Sequence, residues 1–112
     1  MHFIFQVRIT DPEYTADDYA RAWVRASRLI QQALGAQGTR LHRKIDDPSI
    51  LLAIATWDSK ASRDAMERRA SEEIAAIIAT QMPHVQIELI GEFEAPEWEV
   101  LPDPKGPEQP SR

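Results

Sequence analysis

His42 is the residue of this chain best suited to move a proton. Histidine takes up and releases one near neutral pH, and Arg40, Arg43 and Lys44 surround it with charge that could hold an anionic substrate. Such a base could act on a phenol or on carbon beside a carbonyl. Arg8, in the first apolar-alternating segment, adds another cation. Trp23 and Trp57 offer flat apolar surface to an aromatic ring. The expected site therefore has His42 as catalytic base and Arg8, Trp23, Arg43 and Trp57 as substrate-binding residues. Each also has a plainer reading: His42 on a solvated strand edge, Trp57 as a plug where a strand meets a helix, Trp23 as core beside Tyr19.

Other chemistries lack their residues. With no cysteine in the chain, a disulfide framework, a thiolate zinc site and a cysteine nucleophile are excluded. No two of the three histidines stand at ligand spacing, so no metal site is expected. The four glycines form neither a phosphate-binding loop nor a serine elbow, and no cofactor is expected. A formal net charge of −5 argues against nucleic acid and anionic membranes as partners. No apolar run approaches the roughly 20 residues that span a bilayer. The opening MHFIFQVRITDPEY reads as a strand rather than a signal peptide. Together with the missing cysteines, this fits a cytoplasmic location.

The 112 residues suffice for one small domain, expected over 1–95. Phe3, Phe5, Val7 and Ile9 alternate with more polar neighbours and predict a strand. Thr15-Ala16-Asp17-Asp18 is a helix start, followed by Tyr19, Trp23, Ala26, Ile30, Ala33 and Leu34 at helical spacing and Gly35 at the C-cap. Thr39–Ile45 and Ile50–Thr56, which is apolar on both faces, predict a hairpin around Asp46-Asp47-Pro48-Ser49. Asp58 or Ser59 caps a second helical stretch, one helix or two barely broken pieces. Its stripe is Met66, Ala70, Ile74, Ile77 or Ile78 and Met82. Arg63/Glu67, Asp64/Arg68, Arg68/Glu72 and Arg69/Glu73 are expected as ion pairs on its outer face. Pro83 stops it, with His84 placed to meet the last carbonyls.

A final strand alternates Val85, Ile87, Leu89 and Phe93 with Gln86, Glu88 and Glu92, interrupted by Gly91. The stretch 96–112, with five of the eight prolines, is expected to be an arm or tail in polyproline or disordered form.

The order βαββαβ predicts an α+β, ferredoxin-like fold: a four-stranded antiparallel sheet with two helices on one face. The other face would carry His2, Ile4, Gln6 and Arg8 with Gln86, Glu88, Ile90 and Glu92, and half of the Ile50–Thr56 strand. That face is too apolar to stay wet and too charged for a core. A homodimer that covers it is expected, with Arg8 meeting Glu88 and with Trp98 and Val100 as anchors of an arm.

The stretch GTRLHRKIDDPSILLAIATWDSKASRDAM, residues 38–66, resembles the dimeric α+β barrel superfamily, most closely its antibiotic-biosynthesis-monooxygenase-like domains. With the first strand and helix the resemblance covers residues 3–94. It implies the dimeric barrel form of the fold, and among its activities cofactor-independent oxygenation of polyketide quinols and anthrones. Haem-degrading relatives use an Asn, a Trp and a His, where this chain has Val7, Met66 and Ala76. That activity is not implied. Muconolactone-isomerase-like proteins resemble Gln37–Arg40 and His42-Arg43, but have a shorter second helix.

The leading expectation is a monooxygenase-like enzyme that works without metal or haem on a small aromatic or polyketide-like substrate, whose anion itself reduces O₂. The alternatives are a muconolactone-isomerase-like enzyme, which needs a base and no oxygen, and a non-catalytic ligand-binding or accessory dimer. Phe3, Phe5, Val7 and Ile9 favour the last, since they offer no polar group to a pocket on the helix side.

Overall fold

The computed structural model describes residues 1–105. Its elements follow the order β1 (His2–Ile9), α1 (Ala16–Ile30), β2 (Ala36–Lys44), β3 (Asp47–Trp57), α2 (Lys60–Arg68), α3 (Glu72–Gln81) and β4 (Val85–Phe93), with a 3-10 turn at Met82–His84. The four strands are antiparallel in the order β2-β3-β1-β4, which is the ferredoxin-like arrangement. Three helices, not two, cover one face of the sheet.

Local chemistry sets the helix ends. Thr15 Oγ1 accepts the Asp18 N–H at 3.1 Å while Asp18 Oδ2 accepts the Thr15 N–H at 2.9 Å, a reciprocal capping box. Ala16, Tyr19, Ala22, Ala26 and Ser27 then fall on the buried side of α1. The helix stops at Ile30, one turn earlier than its apolar spacing suggests, and Leu34 is 90% exposed in the turn beyond. Ser59, rather than Asp58, caps α2. Ser71 caps α3, with Glu72 and Glu73 on its positive end. That second cap is why the helical stretch is broken. The break parts Arg68 and Arg69 from Glu72 and Glu73, and those two expected ion pairs are absent among the described residues.

Strand register decides which side chains share a face. Phe3, Ala55 and Thr39 lie in one row across β1, β3 and β2, and Phe5, Ala53 and Leu41 in the next, all toward the helices. Val7 and Ala53 are fully buried there, and Val7, Leu51, Tyr19, Ala16 and Val85 form the packed core. β3 starts at Asp47, with positive φ at Asp46 in the tight turn, so Asp47-Pro48-Ser49 lie within the strand as an irregularity.

In β4 the register slips between Leu89 and Gly91. The bulge inverts the expected sides beyond it. Glu92 pairs with Phe3 on the helix face and reaches Lys60 at 3.4 Å, whereas Phe93 pairs with His2 on the open face. Arg8 stands opposite Gln86 and Gln6 opposite Glu88, and no Arg8–Glu88 ion pair forms among the described residues.

The ends of the sheet are pinned. The Met1 ammonium donates to Trp57 O and Trp57 N donates to Met1 O, both at 2.9 Å, which holds the start of β1 against the end of β3. His84 meets the Asp11 carboxylate at 2.7 Å and stacks on Tyr14, rather than on helix carbonyls. Beyond β4 the chain to residue 105 has no helix or strand, and Trp98 is 84% exposed. The rest of the expected tail, 106–112, lies outside the described residues.

Gly35 holds the α1–β2 corner against α2. Its φ is +89°, and a Cβ there would overlap Asp58 Oδ1 and the Ser62 side chain. Gly35→Ala is expected to cost about 2–4 kcal/mol, from left-handed strain and overpacking together. Urea denaturation checks this; a loss below about 0.5 kcal/mol would show that the corner yields.

Candidate active site

The helix-facing side of the sheet is not closed by packing. Between it, α1 and the α2–α3 layer lies a cavity of about 280 Å³, near the lower end for small-molecule sites. Phe3, Phe5, Ala55 and Trp57 form its floor, with Tyr19 and Trp23 from α1 and Met66, Ile74 and Ile77 from the covering helices. α2 has no buried residue and α3 only Ile74, because their inner apolar side chains roof a void instead of a filled core.

Trp57 is only 2% exposed and also lines the cavity, so corner plug and aromatic wall describe the same ring. Trp23 lines it too and packs against the core cluster. The cations differ from those expected. Arg8 is exposed on the opposite face of the sheet, in register with Ile50 and Gln86. Arg43 is on the helix side but beyond the cavity, where its guanidinium meets Asp17 at 3.0 Å.

His42 is exposed in register with Leu52 and Gln6, which places it on the open face. The pleat separates it from the cavity: residues one apart on a strand point to opposite sides. His42→Ala is accordingly expected to leave folding and any turnover in the cavity within about twofold. Steady-state rates of the variant test this, and a large loss of rate would bring the site to the open face.

The cation in the cavity is Arg63. Its side chain is 16% exposed, and its guanidinium carbon lies 3.8 Å from the Phe3 ring centroid. Glu67 holds it at 2.7 Å and Asp64 at 3.7 Å. It is not the outer-face residue that its pairing with Glu67 suggested. A signal was available: Arg63 precedes Met66 by three and Ala70 by seven, so it continues the apolar stripe as its one charged member.

Gln31 and Gln81 extend the stripes of α1 and α3 in the same way, and both line the cavity. Gln31 Nε2 and Gln81 Oε1 are buried without a partner. Tyr19 adds a phenol whose pKa burial pushes up to about 12, so its hydroxyl stays protonated and able to donate at neutral pH. Among the described lining residues there is no histidine, and the one carboxylate, Glu67, is engaged by Arg63. No three His, Asp or Glu side chains gather into a metal-holding group among the described residues. No described helix is long and apolar enough to cross a membrane.

Neither a protein-family profile nor a curated protein matches the sequence. Solved structures do match the fold. SnoaB, a cofactor-independent oxygenase from Streptomyces nogalater, superposes with a TM-score of 0.73 at 16% identity, over 91% of this chain and 96% of that one. A candidate antibiotic biosynthesis monooxygenase from Deinococcus radiodurans gives 0.63 at 14% identity, over 89% and 100%. A conserved protein of unknown function from Bacteroides thetaiotaomicron, described as a possible oxidoreductase, gives 0.65 at 11%, over 79% and 89%. The chain thus has the fold of the antibiotic-biosynthesis-monooxygenase-like domains. At these identities the likeness is one of fold, and fold alone does not carry chemistry.

Proposed function

We propose that this chain, folded as the antibiotic-biosynthesis-monooxygenase-like domains are, is a cofactor-independent oxygenase of a small aromatic or polyketide-like substrate. The observation that carries the reading is the apolar cavity walled by Trp23 and Trp57 with one guanidinium, Arg63, reaching it. A substrate acidic enough to enter as its phenolate or enolate needs no protein base, which suits a lining without a free one. The tryptophans and phenylalanines hold its ring, and Arg63 stabilises its oxyanion among apolar walls.

The electron-rich anion passes an electron to O₂, and the substrate radical and superoxide combine in a carbon–oxygen bond. Loss of water from the resulting peroxide leaves a carbonyl. Over the whole reaction a ring CH₂ and O₂ become C=O and H₂O, so one oxygen atom enters the product and the other leaves as water. Oxygen uptake with a soluble anthrone, followed by mass spectrometry of the product under ¹⁸O₂, tests this. Incorporation of one labelled atom at a rate proportional to protein is expected; uptake no faster than without protein would overturn it.

The missing free base favours a second reading, a binding protein without turnover, over an isomerase that must abstract a proton from carbon. Saturable binding of the same anthrone without oxygen uptake would select it.

The open face of the sheet suits a second copy of the chain. Ile4 and Ile54 are in register on it, with Leu52 on the same side, and Phe93 remains 49% exposed. The chain is proposed to be a homodimer through this face. Ile54→Asp is expected to convert it to a monomer, read by light scattering; a monomeric unmodified protein at micromolar concentration would refute the assembly.

A further inference from the structure

The open face of the sheet carries its charge in two bands. At one edge, β2 places Arg40 and His42 in register with Ile54 and Leu52, and Lys44 ends the strand. At the other, Glu88 of β4 stands opposite Gln6. Ile4, Leu52 and Ile54 lie between the bands. Arg40, Lys44 and Glu88 are exposed and enter no ion pair among the described residues. Cations therefore mark the β2 edge of a chain whose formal net charge is −5.

This pattern chooses between two ways of closing the face on a second copy. A twofold axis across the strands would set β2 over β2, with Arg40 and Lys44 against copies of themselves. An axis along the strands sets each β2 over the partner's β4, cations over acid, and lets the apolar middles meet. The partner's β2 then comes to the side where the chain leaves β4.

The segment that leaves β4 suits that strand. Glu97-Trp98-Glu99-Val100 alternates, so when extended it turns both carboxylates one way and Trp98 and Val100 the other. Its acids repeat at the same two-residue period as Arg40, His42 and Lys44. Glu94, Glu97 and Glu99 are likewise exposed and enter no ion pair among the described residues. Val100 is 97% exposed in its own chain.

We propose that residues 94–101 form an arm that turns at Ala95-Pro96 and lies along β2 of the partner subunit. Glu97 and Glu99 meet Arg40 and Lys44 of the partner subunit at the wet rim, and Trp98 and Val100 seal the apolar seam behind them. Eight extended residues reach up to roughly 26 Å, and facing sheets stand about 10 Å apart. The chain's own β2 is three strands away, about 14 Å, across the face that the second copy fills. The assignment rests on the homodimer proposed above and adds its axis and its clamp.

Cross-linking of the full chain tests it, since a chain without cysteine can be given single ones. Leu101→Cys and His42→Cys chains with different tags are mixed, equilibrated and treated with a short bismaleimide. The expected product joins the two tags, and neither variant alone joins to itself. Trp98→Ala should raise the dimer dissociation constant at least about tenfold, as loss of an interface aromatic does, read by sedimentation equilibrium. Its circular dichroism should match the parent's, because Trp98 is 84% exposed in its own chain. His42→Cys joined to itself would put β2 over β2 and overturn the axis. No joined product, one formed only within a chain carrying both cysteines, or a Trp98→Ala dimer as tight as the parent would each overturn the clamp. The homodimer stands in all of these cases; a monomeric parent would defeat both.

Discussion

Arg63→Met is expected to lower oxygen uptake about 10²–10³-fold, the usual effect of removing a group that stabilises a developing oxyanion. The reason is positional. The guanidinium is held over Phe3, 3.8 Å from the ring centroid, by a flexible stem that the cavity wall buries to 16% exposure. Methionine retains most of that stem and its packing, so the variant isolates the charge. The accompanying loss of stability is small, since Glu67, the partner at 2.7 Å, is 62% exposed and such pairs contribute about 0–1 kcal/mol. The measurement is the oxygen-electrode rate beside a thermal melt of the same preparation. A folded Arg63→Met protein with unchanged rate would remove Arg63 from the mechanism and return the search for a cation to Arg8 and the open face. Arg63→Lys should fall between, because a lysine keeps the charge but not the planar fork.

The second large effect is on stability. Trp57→Ala is expected to cost about 3–5 kcal/mol, in the range of buried aromatic truncations. Trp57 and Val7 are the largest wholly buried side chains, and the Trp57 backbone also closes the β1–β3 edge onto Met1. The indole adjoins a cavity already present, so truncation enlarges a void rather than inviting collapse into it, which puts the cost toward the upper end. Trp57→Phe should cost much less and retain ligand binding. Equilibrium unfolding in urea decides the matter. A Trp57→Ala loss of under about 1 kcal/mol would mean that the ring is a wall of the site and not a plug of the corner. These two variants separate the chemistry of the site from the frame that holds it: one should lose rate and keep its fold, the other should lose stability first.

Much of the frame follows from short-range rules that act within one element. The alternation of Phe3, Phe5, Val7 and Ile9 fixes the inner face of β1, and the Thr15–Asp18 capping box fixes where α1 begins. The element order then leaves one compact sheet arrangement, β2-β3-β1-β4. Structure departs from the sequence periodicity where a single residue resets it. The bulge between Leu89 and Gly91 exchanges the faces of Glu92 and Phe93, and the second cap at Ser71 divides a stripe that reads as nearly continuous.

The candidate site was partly visible, in the two tryptophans, and otherwise hidden. His42 and its neighbouring cations are close along the chain, yet the pleat sends His42 and Arg43 to opposite faces, and neither lines the cavity. Arg63, Gln31 and Gln81 are far apart in sequence, and each is a polar residue within a mostly apolar helix stripe. By itself the sequence determined the fold class, the inner face of the sheet and the aromatic character of that side, because periodicity and caps are local. Whether the two inner faces meet or leave space between them depends on side-chain volumes summed across the sheet and three helices, and on how far α2 and α3 stand off. Only the tertiary structure could decide that a void remains there, and that one guanidinium and two amides border it.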